Sequence, residues 1–410
     1  MSHQIQKIKS VLHGNLGIMI VSSALWYLSG NLTAPFYALY VLELGGDYAM
    51  IGKILGAAAL VKIIPILVGG YLTDKIGRKK ILYTMTYLLA CVALIRAFAP
   101  DYRFLVIAAV LEALFMGLRE PSLASIIGDS TTPENRSLSY ALWLIGPNLV
   151  GVLSPSIFGV VMDRYGLRVA MMWGYIAIFT LGTVSAFMRQ KYIKETLTNG
   201  ENASIERNSF KELLGKFKET IQSLNKQAGT FIAIDLIFTI SLGLAEPYFV
   251  TYATDSLSIT GAQWGFIMSL VTLIHCAALL IVASPSDERG RVRFVQASMI
   301  SWPISYLLFI NSGSYLHLML ARIGVTLAAA VGQPAWHALF TDYCPKEHRG
   351  RYHAMLEIVW SLLYGGGNYL GGLLYQNNGI KAPFQIAMIL MAIGGASSLF
   401  LLKEPQHKES

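Results

Sequence analysis

The chain has 410 residues, of which 54% are hydrophobic and only 14% charged, and its mean hydropathy is +0.51. Soluble domains carry about a quarter charged residues, so this composition excludes a soluble enzyme or binding module and marks a membrane protein. The formal charge of +8 would suit a nucleic-acid ligand, but the placement of the charges, set out below, removes that reading.

The chain opens on a polar segment, residues 1–15. The first apolar run after it is too long for a signal-peptide core and lacks a small-x-small exit, so no cleavable signal is evident. Apolar runs then predict spans at roughly 16–41, 48–72, 81–99, 103–126, 138–161, 169–188, 230–253, 262–284, 294–311, 315–340, 353–375 and 382–402. At about 20 residues per span, the length accommodates twelve helices with short connections. Lys and Arg are distributed 23 to 4 between alternate connections. That asymmetry puts both termini in the cytoplasm of a cell membrane, and it explains the surplus positive charge without a nucleic acid. The partner that this composition and charge placement imply is the lipid bilayer. Cys91 and Cys276 lie inside apolar runs, so the cysteines make no disulfide framework. No His/Cys/Asp cluster has metal-ligand spacing, and neither a metal nor a cofactor is expected.

The architecture expected is an all-α membrane protein of two six-helix halves, 16–189 and 229–402, joined by a cytoplasmic linker at 190–228 and followed by a tail at 403–410. In the linker Phe210, Leu213, Leu214, Phe217, Ile221 and Leu224 fall at helical spacing with lysines between them. They read as an amphipathic helix on the leaflet surface, with a solvated flexible linker as the alternative.

The halves are related by an internal repeat. Asp287-Glu288-Arg289-Gly290-Arg291 repeats the D-x-x-G-R of Asp74 to Arg78 at an offset of 213 (287 − 74). The same offset maps Pro121 onto Pro334, Asp129 onto Asp342, Arg136 onto Arg349, Gly159 onto Gly372 and Gly166 onto Gly379. Within a half, Gly159-x-x-x-Asp163-x-x-Gly166 echoes Gly70-x-x-x-Asp74-x-x-Gly77 on the opposite side of the membrane. Two pseudo-symmetric halves, each of two inverted triplets (3+3), is a transporter architecture. The second half is degenerate: Ala283 stands where the first Gly of the motif is expected, and Gln376 where Asp163 predicts an Asp. Pro35-Phe36-Tyr37-x-x-Tyr40-x-x-Glu43 recurs as Pro247-Tyr248-Phe249-x-x-Tyr252-x-x-Asp255, at an offset of 212 (247 − 35), and the prolines predict bends in the first and seventh spans.

Ionisable residues inside spans are costly unless paired or hydrated, so they are functional candidates by default. Lys62 lies 12 positions before Asp74, about 18 Å into a hydrocarbon core of about 30 Å, and His275 is its repeat partner. In the fourth span Glu112, Arg119 and Glu120 are candidates. Arg119 and Glu120 are adjacent and cannot face the same way, so one is expected in the substrate pathway and the other in a helix interface. Asp235 and Glu246 share a stripe of the seventh span. Burial favours the protonated form of a carboxyl group, which makes Asp235 the leading proton-exchange candidate; a static ion pair with Lys62 or Arg119 is the competing reading. Arg96 is expected to snorkel to the outer interface. Glu357 is a possible gate, and His317, His337 and His353, near span ends, suit structural roles. Trp143 and Trp360 are the tryptophans placed to line a cavity; Trp26, Trp173, Trp264 and Trp336 suit packing or interface belts.

The stretch Gly70-Tyr71-Leu72-Thr73-Asp74-Lys75-Ile76-Gly77-Arg78-Lys79-Lys80 resembles the loop signature G-x-L-x-D-x-x-G-R-[KR] of the major facilitator superfamily, and the resemblance extends over essentially the whole chain. It implies a secondary transporter working by alternating access. It also implies a cytoplasmic latch of Gly70, Asp74, Gly77 and Arg78, with Asp129 and Arg136 nearby and Asp287, Gly290 and Arg291 as the second-half equivalents. Both glycines are expected to let the loop turn. Many proton-coupled members carry an Arg twelve residues before the proline equivalent to Pro121; here Ala109 fills that position, while the second half keeps Arg322. Gly146-Pro147-Asn148-Leu149-Val150-Gly151 matches in part the G-P-x-x-G-G of drug antiporters. The reading is therefore a drug/proton-antiporter-like exporter, monomeric, with a small-molecule substrate and protons as its further partners. Its alternatives are a proton symporter importing an organic anion and, in another class, a non-transporting solute sensor. No nucleophile–base pair or phosphate loop points to an enzyme.

Overall fold

The computed structural model describes residues 14–131, 136–197, 226–344 and 349–404; the linker helix expected over 210–224 lies outside them. Twelve helical spans run through the described residues, with no strand among them. The first is broken into Asn15–Thr33, a 3-10 turn Ala34–Phe36 and Tyr37–Glu43. Its repeat, the seventh, is broken likewise into Lys226–Ala245, Glu246–Tyr248 and Phe249–Leu257. In both, a proline at the start of the 3-10 turn (Pro35, Pro247) lacks the N–H that would continue the helical ladder, so the expected bends are present. The second, third and fourth spans are Tyr48–Ile76, Arg78–Ala97 and Tyr102–Asp129. The fifth, Arg136–Val150 and Ser154–Tyr165, is interrupted at residues 151–153, and the sixth is Leu167–Tyr192. The eighth to twelfth are Gly261–Arg289, Arg291–Ile310, Tyr315–Tyr343, Arg349–Asn378 and Ala382–Leu401.

Nine spans among the described residues are apolar and long enough to cross a membrane on composition alone. The other three carry polar groups inward. Tyr102–Asp129 holds Glu112, Arg119 and Glu120; Arg291–Ile310 holds Gln296 with three serines; Arg349–Asn378 is rich in Gly and holds Asn368. Elsewhere the apolar surface faces outward: Leu60, Ile64, Leu67, Val68 and Tyr71 form one exposed stripe on the second span, as a lipid-facing helix requires.

The second span, with 29 residues, is about 44 Å long and outruns a core of about 30 Å. Its helix therefore continues through the motif expected to be a loop. Gly70 is helical, with open space around the position of a Cβ, and takes no part in the turn. The whole connection is Gly77, at φ 107°, mirrored by Gly290 at φ 98°, a backbone region that side chains with a Cβ avoid. Gly166 and Gly379, the repeat pair of the opposite connections, also have positive φ, 83° and 98°.

By its internal packing the chain forms two compact units: Met1–Gly46 with Ala57–Ile205 and Thr260–Thr272, and Asp47–Gly56 with Glu206–Ile259 and Leu273–Ser410. In the first, span three packs on four and six and span one on five and six; in the second, span nine packs on ten and twelve and span seven on eleven and twelve. The pairings are the same under the repeat. In this division the start of the second span joins the second unit and the start of the eighth joins the first. Each is held by a backbone approach that no side chain could share: a Cβ on Gly159 would strike the Gly261 carbonyl, and one on Gly56 the Gly365 carbonyl.

Candidate transport site

In the first unit the exposed stripe of the second span places Lys62 on the opposite, inward face, two residues and about 200° of helical rotation from both Leu60 and Ile64. Lys62 Nζ lies 2.7 Å from Glu120 Oε1, and both side chains keep about a third of their surface exposed (32% and 37%). Arg119, one residue back, turns into the bundle, is 6% exposed and has its guanidinium 5.3 Å from the Trp26 ring. The adjacent pair thus faces two ways, as helix geometry dictates.

Arg96 does not snorkel. It forms an ion pair with Glu112, lies 5.5 Å and 5.7 Å from the Tyr37 and Tyr175 rings, and its own carbonyl accepts a 2.8 Å bond from the Tyr40 hydroxyl. A carboxylate two turns along the neighbouring helix and two aromatic faces give the cation more than an interface would. Glu112 is correspondingly the counter-ion of Arg96.

Arg189, the last residue of the expected first half, is buried. Its Nε donates to Ser22 Oγ (3.0 Å), Nη1 to Thr86 Oγ1 (2.9 Å) and Nη2 to Ser23 Oγ (3.2 Å). The signal lay in polar Ser22, Ser23 and Thr86 at one depth in spans one and three.

In the second unit Asp235 is 9% exposed and accepts a 2.5 Å bond from Trp360 Nε1. The indole of Trp336 lies beside the same carboxyl and 4.9 Å from Trp360. No ion pair involves Asp235 among the described residues of its own unit. Glu246 is exposed and accepts from the Tyr364 hydroxyl at 2.9 Å. Arg322 sits 4.7 Å from the Phe249 ring and donates to Thr326 Oγ1 at 3.2 Å. His275 lies beside Gln333. Under the offset of 213, Lys62 and Glu120 map onto His275 and Gln333, so an ion pair in one unit is matched by a pair without fixed charge in the other. Trp360 thus meets a candidate site residue, whereas Trp143 packs against the apolar cluster of Leu16, Met19, Leu82, Ile126, Ile127 and Ile193.

At the Gly77 end of the spans, Arg78 forms an ion pair with Asp129, and its repeat Arg291 one with Asp342. Asp74 forms neither a hydrogen bond nor an ion pair among the described residues; the side chains of Arg136 and Asp287 lie outside them. Gly77 and Gly290 cannot cap the helices they start, which leaves backbone N–H groups unpaired. Carboxylates from just past the sixth and twelfth spans fill that role. Glu195 accepts from the N–H groups of Arg78 and Lys79, both at 3.1 Å, and Glu404 from those of Arg291 and Val292 at 2.9 and 3.0 Å. The sequence reading missed both. Their signal is the dipeptide Lys194-Glu195 repeated as Lys403-Glu404 at an offset of 209 (404 − 195), out of step with the 213 used to align the halves.

At the opposite end Asp163 caps the start of the eighth span, accepting from Gly261 N (2.7 Å) and Ala262 N (2.8 Å). Its repeat, Gln376, accepts from Ala49 N at 3.1 Å.

Twelve spans in two repeated sets, with charged groups inside the bundle and paired charges at the connections, define a multi-pass membrane transporter. The profile of the Major Facilitator Superfamily matches residues 19–225 and 229–410, and the chain belongs to that family. It is 24% identical to the multi-drug resistance efflux pump PmrA of Streptococcus pneumoniae, over 92% of this chain and 93% of that protein. It is 21% identical to multidrug resistance protein 2 of Bacillus subtilis, over 86% of each. Among solved structures it resembles the inward-open xylose transporter XylE of E. coli, with a TM-score of 0.71 at 14% identity, over 96% of this chain and 97% of that one.

Proposed function

We propose that the chain is a proton-coupled exporter of a small organic solute, working as a monomer in the cell membrane by alternating access, with both termini cytoplasmic. The observation that carries this reading is Asp235, a carboxyl group buried within a span, held by an indole N–H and in no ion pair among the described residues. An unpaired charge there is costly and a proton removes it, so solute release and proton uptake at Asp235 can alternate. Export is supported by the efflux pumps among the relatives. Lys62, Glu120, His275, Glu246 and Arg322 are proposed to line the pathway with it, while Arg96 and Glu112 brace it. Arg78 with Asp129, Arg291 with Asp342, and Asp74 form the proposed cytoplasmic latch, a cluster whose pairing biases one access state over another.

Everted membrane vesicles with an acid interior, read by a quenched fluorescent amine, test this. Adding a transported solute should partly collapse the gradient, and Asp235→Asn should abolish that response. Import of an organic anion by symport is the second reading, favoured by the buried Arg119. It predicts collapse of an acid-outside gradient in right-side-out vesicles and none in everted ones, and that pattern would overturn export.

A further inference from the structure

Among the described residues of the first unit, cations inside the spans outnumber carboxylates there. Four cations lie inside its spans, Lys62, Arg96, Arg119 and Arg189, against the two carboxylates Glu112 and Glu120. Lys62 is taken by Glu120 and Arg96 by Glu112, which leaves two guanidinium groups without a carboxylate partner among the described residues. Those two are close enough to act on each other electrostatically. Arg189, 2% exposed, is fixed by the three hydroxyls of Ser22, Ser23 and Thr86. Arg119 differs. It is 6% exposed, makes no hydrogen bond among the described residues, and its Nε is buried without a partner. The face of Trp26 lies 5.3 Å from its guanidinium; Glu120, Glu112 and Tyr27 act on it through space, and the two carboxylates are bonded elsewhere.

A buried guanidinium with unused donors is unfavourable by itself, and it presents a planar fork that fits a carboxylate with two parallel bonds. The fixed Arg189 adds positive potential behind it, and the Trp26 indole offers an apolar, aromatic wall. We infer that Arg119 is the recognition residue for the anionic headgroup of the transported solute, so that the substrate class is amphipathic organic carboxylates rather than lipophilic cations. The inference rests on the transport reading but not on its direction or coupling.

Equilibrium binding to the full chain in lipid nanodiscs, with no gradient imposed, tests it separately from that reading. The probes are three of one shape: 1-naphthylacetic acid, its primary amide and the corresponding ammonium compound 2-(1-naphthyl)ethylamine. Loss of a charge-assisted bidentate contact is worth about tenfold in affinity or more. The wild type is expected to bind the acid at least about tenfold more tightly than the amide, and the ammonium probe most weakly. Arg119→Gln should remove the preference for the acid, lowering acid affinity at least about tenfold more than amide affinity, and Arg119→Lys should restore part of it. A purely structural role for Arg119 would weaken all three probes together. If Arg119→Gln does not fold, the wild-type order and Arg119→Lys decide. Equal binding of acid and amide, tighter binding of the ammonium probe, or no saturable binding of the acid would overturn the inference, whatever the vesicle assay shows.

Discussion

Arg96 and Glu112 show how a charge is kept at membrane depth. Each neutralises the other, two tyrosine rings cover the guanidinium, and little is left for a substrate. Removing one partner strands the other, so Arg96→Leu or Glu112→Leu should each lower the stability of the detergent-solubilised protein by about 2–3 kcal/mol. The double variant should lose less than the sum of the two; thermal unfolding checks both. Asp74 is the opposite case. It has no hydrogen bond or ion pair among the described residues, so Asp74→Asn should change stability by less than about 0.5 kcal/mol while lowering turnover, if its bond forms in another access state. An unchanged transport rate would remove it from the latch. At this scale the sequence was most informative where a charge interrupted an apolar run, as at Lys62 and Asp235, because the cost of burial singles such residues out. It was least informative near span ends. Arg189 looked like one more basic residue at such an end, and only the meeting of three helices shows that its hydroxyl partners lie around it.

The helices start and stop for reasons that are partly local and partly distant. Proline position alone announced the breaks at Pro35 and Pro247. The turn at Gly77 was legible too, but its extent was not: hydropathy ends the second span at residue 72, whereas hydrogen bonding carries the helix through Ile76. The caps were hidden for a different reason. Glu195 lies 117 residues from Arg78, and no local pattern joins a helix start to a carboxylate on a distant segment. Glu195→Ala should cost about 1 kcal/mol, the usual value for losing a side-chain cap, seen as a lower thermal midpoint, and Glu195→Gln should recover part of it. Asp163 makes a parallel case at the opposite end. Asp163→Ala should destabilise by a similar amount, about 1 kcal/mol, whereas Gln376→Ala, which loses the uncharged 3.1 Å cap of Ala49 N and a long 3.4 Å bond to Asp47 Oδ2, should cost less.

Across the molecule the repeat accounts for most of what was legible. One offset aligns the turns, the ion pairs Arg78–Asp129 and Arg291–Asp342, and the packing order of the spans within each unit. What the repeat does not copy is where function is proposed. The first unit keeps surplus cations at Arg119 and Arg189; the second has Asp235 between two indoles and a His275–Gln333 pair where its counterpart has an ion pair. On the proposed reading headgroup recognition falls to one unit and proton exchange to the other, which makes separable demands. A carboxyl group that carries the proton is needed for uphill movement but not for a solute to cross and return. The decisive measurement is therefore made on proteoliposomes containing wild type or Asp235→Asn, each assayed for gradient-driven accumulation of a radiolabelled substrate and for its counterflow exchange at equal pH. The account predicts that Asp235→Asn loses accumulation and keeps exchange at a rate close to wild type. Accumulation retained by Asp235→Asn would contradict it and move the proton site elsewhere, with Glu120 and Glu246 next to be tested.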